Sequence, residues 1–191
     1  MRQAAMTVLS VMVLLASVAK IGERNLTAAI FTIWSVVVVL LYRRFRRSAA
    51  EVPWACQAAA AIAVTLGVGT VISGVGHSVA VASLALSQRE YGPLQILRFT
   101  TGAMLLYSGM MSVVVYRAIK SGRRWAVGVG AATGLLFWLY LLFLLPLPGT
   151  GGTVRPMLGL WSVYLLWLGA AVLSSRRGDG GAAQFSFDAR A

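Results

Sequence analysis

The sequence predicts an all-α membrane protein, a bundle of six transmembrane helices arranged as three hairpins. Three observations predict it. Apolar residues make up 59% of the 191-residue chain and charged residues 12%, against roughly 45–50% and ~25% in a soluble domain. Mean hydropathy is +0.79. The apolar residues fall in six runs, and the basic residues cluster in the links between them. Crossing ~30 Å of hydrocarbon takes ~20 helical residues. Barrel strands alternate in polarity over ~10 residues, which these uniformly apolar runs do not do.

The first span is expected at 3–19 and is short. The second, 26–42, is entered through Asn25, a good N-cap. The third opens at Trp54 and crosses by Gly76, giving 54–76. Its uncharged stretch nevertheless continues to Gln88, 35 residues in all with His77 neutral. As one helix at ~1.5 Å per residue it would be roughly 50 Å long. The third helix is therefore expected to be broken or extended near Gly74-Gly76, with the semi-polar segment beyond lying along the outer face or re-entering the membrane. The fourth span, 94–116, follows the Gly92-Pro93 turn. The fifth, 125–145, ends at Pro146, Pro148 and the glycines after them. The sixth, 154–173, carries Pro156 in its first turn, where a missing N–H costs nothing. Residues 1–175 thus form one transmembrane domain, and 176–191 a disordered cytoplasmic tail rich in Gly and polar residues.

Lys and Arg number 17 against 5 Asp and Glu, a net charge of +12. With the N-terminus cytoplasmic, eleven of the basic residues fall on that side and five on the other, with Arg190 too far out in the tail to count. Positive residues stay inside, so both termini are expected in the cytoplasm, in a bacterial inner or plasma membrane. The alternative is that 1–19 is a cleaved signal, which leaves five spans in the same orientation. The basic clusters predict contact with anionic lipid at the cytoplasmic face. Nucleic acid is excluded as a partner, because no polar domain exists to carry it. Trp54, Trp125, Tyr42 and Tyr116 sit beside these clusters as interfacial anchors.

Two rows of small residues predict close helix contacts: Ala59, Ala63 and Gly67 in the third span, and Ala126, Gly130 and Gly134 in the fifth. They serve packing within one bundle or a seam with a partner subunit or a second copy. The densest polar group near the outer half of the membrane is His77, Arg89, Glu90, Tyr91 and Arg98. One reading is a snorkelling Arg98 with a surface Arg89–Glu90 pair. The other is a site for an anionic or amphipathic ligand or partner, with His77 as donor.

All five carboxylates lie outside the spans. Carboxylates within spans are the usual means of ion coupling, and clustered Asp, Glu or His the usual means of metal catalysis. One Cys and one His leave no metal-ligand set. No catalytic residue, metal or cofactor is assigned. The expected function is a non-enzymatic accessory or scaffolding subunit of a membrane complex. The alternatives are an uncoupled channel or facilitator for a small solute, with the glycine-rich third span lining the path, and an enzyme on a lipid-like substrate near His77.

Overall fold

A computed structural model describes Thr7, Ser10, Val11 and residues 25–48, 52–88, 93–147 and 151–185. Within these it holds five helices and no strand: α1 (Asn25–Ser48), α2 (Trp54–Gln88), α3 (Pro93–Lys120), α4 (Arg124–Leu144) and α5 (Gly151–Phe185). Four stretches are long and apolar enough to cross a membrane: Trp54–Ser83, Ile96–Lys120, Arg124–Leu144 and Gly152–Ser174. This is compatible with a membrane protein. The helix α1 stands where the span at 26–42 is expected but is not among these four stretches. The expected span at 3–19 lies outside the described residues, save Thr7, Ser10 and Val11, which are helical. The helix α5 runs on to Phe185, ten residues into the segment whose composition predicts disorder.

The structure decides between the two expectations for the third span. The long uncharged segment is extended, not broken: α2 is continuous over 35 residues, and His77 lies inside it rather than in a re-entrant piece. The physical reason is at Gly74. A Cβ there would sit 2.9 Å from the Leu106 backbone N and 3.0 Å from Leu105 Cβ. The glycine is thus occupied in bringing α3 close, and the continuous helix keeps its own hydrogen bonds.

The helices α2 and α3 share the most extensive interface; α2 also packs on α1 and α5, α3 on α4, and α4 on α5. Contacts run from Gly67 against Gly109, through Gly74 against Leu105 and Leu106, to Ser78 against Gly102. Numbers rise along one helix as they fall along the other, so the pair is antiparallel. The α3–α4 turn is closed by Gly122 at φ 72°. Gly122 N–H donates to the Ile119 carbonyl and Arg123 N–H to the Ala118 carbonyl, both at 2.9 Å. This is the Schellman pattern, and its left-handed position suits glycine.

The core gathers where α2 begins. Ala55, Cys56, Ala59, Ala60, Ala61 and Ala63 are fully buried. Small side chains admit the neighbouring helices and the large aromatics of α5. Trp161 is fully buried, edge-on to Phe137 at 4.9 Å and to Tyr164 at 5.6 Å. Trp54 meets Trp167 edge-on at 5.3 Å. The outward faces stay apolar: Ile72, Val79, Phe99, Val114, Phe143 and Leu173 are 62–70% exposed. Such a belt suits lipid, not water.

Candidate functional site

The sequence singles out a polar group near one end of α2 and α3, and the structure places two of its members. His77 is half-buried on α2. Its Nε2–H donates to the Arg98 backbone carbonyl at 2.9 Å. The histidine therefore ties α2 to α3 across their antiparallel seam. The Arg98 side chain is exposed, and the contact uses only its backbone. Arg89, Glu90 and Tyr91 lie outside the described residues.

The small-residue rows are spent within the bundle. Ala59 and Ala63 are fully buried. A Cβ on Gly67 would meet the Gly109 carbonyl at 2.9 Å. On α4, Ala126 is fully buried. Cβ atoms on Gly130 and Gly134 would meet Tyr164 OH at 2.9 Å and Leu165 Cδ2 at 3.0 Å. The α2 row thus faces α3 near Gly67, and the α4 row faces α5.

Polar side chains inside the bundle are mostly satisfied locally. Thr70, Ser108 and Ser112 donate to the carbonyls of Leu66, Met104 and Ser108 one turn earlier, at 2.6–2.9 Å. Other pairs bridge between segments. Thr101 Oγ1 and Tyr140 OH share a hydrogen bond of 2.8 Å. Trp138 Nε1–H donates to Ser162 Oγ at 2.9 Å. Trp167 Nε1–H donates to Ser10 Oγ at 2.8 Å, tying Ser10 to α5. Beside that last bond lies a cavity of about 160 Å³, lined among others by Trp34, Val38, Tyr42, Ile62 and Trp167. Among the described residues no three of His, Cys, Asp and Glu come together.

A second constellation, missed in the sequence, lies at the opposite end of the α2–α3 pair from His77. The end of α1, the start of α2 and the end of α3 enclose an open groove of about 800 Å³. Its walls carry Arg44, Arg117 and Lys120, the rings of Phe45 and Tyr116, and the aliphatic Leu41, Val52 and Val64. Lys120 Nζ stands 4.6 Å from the Phe45 ring centroid, within cation–π range. Phe45 stacks on Tyr116 at 6.4 Å and 17°, and Arg117 Nε–H donates to Tyr116 OH at 3.2 Å. The signal was present: Phe45 stands alone among Arg43, Arg44, Arg46 and Arg47, and it is only 7% exposed. A buried ring inside a run of arginines marks packing that a count of charges passes over.

No family model, curated protein or solved structure matches the chain.

Proposed function

We propose that the chain is a multi-pass protein of a bacterial inner or plasma membrane, with both termini cytoplasmic, that serves as a non-enzymatic accessory or scaffolding subunit of a membrane complex. One observation carries this reading: the face of α2 that bears Gly67 and Gly74 is filled by α3. The Gly67 and Gly109 carbonyls each approach the other glycine's Cβ position within 3 Å. A facilitator that used this face would need it to line a solute path, and Gly67 and Gly74 are committed to the helix contact. His77, the centre of the enzyme reading, has Nε2 committed to a backbone carbonyl. What these residues build is a stiff pair of long helices with an apolar outer surface, suited to holding other membrane helices.

Copurification tests the proposal. The full chain, tagged and expressed at its natural level, is extracted in mild detergent and sized. A discrete complex containing a stoichiometric membrane partner is the expected result. A lone chain that passes small solutes when placed in pure liposomes would overturn it in favour of the facilitator.

A further inference from the structure

We propose that the groove between the ends of α1 and α3 is a site for an anionic phospholipid, with the headgroup phosphate held by Arg44, Arg117 and Lys120. The site stands whether or not the chain is an accessory subunit.

Three features point to a phosphate. Cations arrive from two helices, Arg44 from α1 and Arg117 and Lys120 from α3, and among the described residues no carboxylate lines the groove. Two of them are held in place by neighbouring rings. The Tyr116 hydroxyl orients the Arg117 guanidinium, which keeps further N–H donors for an oxyanion. Lys120 lies over Phe45, so its ammonium is positioned while its three donors remain usable. A guanidinium fork with an ammonium beside it matches the tetrahedral oxygens of a phosphodiester.

The aliphatic wall of the groove selects a lipid over a soluble anion. Val64 lies ten residues beyond Trp54 on α2, ~15 Å along the axis. Beside the cations the wall is aliphatic: Leu41 lies about a turn inward of Arg44 on α1, and Val64, level with Tyr116 by the antiparallel register, lies inside the apolar stretch Trp54–Ser83. With cations beside an aliphatic wall, the groove has the profile of a headgroup with an acyl chain. Its volume, about 800 Å³, falls within the ~300–1,000 Å³ common for ligand sites.

The test uses the full chain reconstituted in vesicles of equal phosphatidylglycerol and phosphatidylcholine, then released in mild detergent for native mass spectrometry. Wild type should retain phosphatidylglycerol in preference to phosphatidylcholine. R117Q/K120Q should bind it roughly thirtyfold more weakly, from about fivefold per basic residue. R44Q, on the other helix, should lose about fivefold. R47Q/R123Q removes the same charge from residues outside the groove and should bind as wild type does. Each variant is first matched to wild type in melting temperature in neutral detergent, so that lost binding is not lost fold. Equal losses in the two double variants would overturn the site in favour of bulk surface charge. Undiminished retention by R117Q/K120Q and R44Q would also overturn it. Displacement of the lipid by millimolar inorganic phosphate would assign the groove to a soluble anion instead.

Discussion

A methyl group added to Gly109 tests whether α2 and α3 meet through their backbones. A Cβ there would lie 2.8 Å from the Gly67 carbonyl, the Val71 backbone N and Val71 Cγ2. Ordinary contact begins at 3.4 Å, so α2 must retreat by about 0.6 Å, and two of the three obstacles are backbone that cannot rotate aside. Overpacking of this kind costs ~1–3 kcal/mol, which at ~2–4 °C per kcal/mol is roughly 2–12 °C of melting temperature. Gly67→Ala, facing the Gly109 carbonyl at 2.9 Å, should behave alike. Gly69 and Gly76 lie on the same helix with nothing within 4 Å of a Cβ. Alanine there should be neutral or stabilising by up to about 1 kcal/mol. Thermal unfolding of the four variants in one detergent reads the contrast. Equal melting temperatures for Gly109→Ala and Gly76→Ala would refute the close approach.

Other consequences can be checked in the same preparations. In a cycle of Thr101→Val and Tyr140→Phe, the coupling should be near 0.6 kcal/mol, the usual strength of a hydrogen bond between membrane helices. Leu141→Ala should cost ~2–5 kcal/mol by leaving a cavity, because Leu141 is 2% exposed. Leu139→Ala, at 51% exposed, should cost under about 1 kcal/mol, since lipid solvates that side chain whether or not the bundle is assembled; similar losses in both would mean that this α4 face is covered. Reporter fusions at the two termini should give the same cytoplasmic signal, and opposite signals would overturn the proposed topology.

The ends of several helices were legible because backbone chemistry writes them locally. The span expected at 125–145 is observed as Arg124–Leu144, closed before Pro146, and that at 94–116 as Pro93–Lys120, opened by its proline. Whether α2 breaks or runs on was not legible. Gly74 reads as a breaker in one dimension and becomes a contact only when α3 lies against it. Nor was the groove, because arginines that set topology and arginines that bind a ligand have the same composition. Of the polar group around His77 only His77 and Arg98 are described, and the hydrogen bond that joins them, to a backbone carbonyl, leaves no trace in residue type. Hydropathy could not separate core from outer face either: on α4, Phe137 and Leu141 are buried while Leu139 and Phe143 are exposed.

In lipid the size of a residue carries the information that polarity carries in water. Apolar side chains gain little by leaving acyl chains for each other, so helices associate where backbones can come closest. The usual search is for small residues four apart, and it finds Gly130 and Gly134. The closest contacts between α2 and α3 follow another spacing. Gly67 and Gly74 are seven apart, as are Gly102 and Gly109 on the antiparallel partner, and each of the four meets the other helix. A seven-residue row drifts only ~20° per repeat on a straight helix, and a slight left-handed wrap removes the drift. The contact therefore continues along both helices instead of ending at one crossing. That explains why the longest apolar stretch in the chain remains one helix. Breaking it at Gly74 would separate the two glycines that hold α3 in register, and would expose backbone groups that only lipid could then surround.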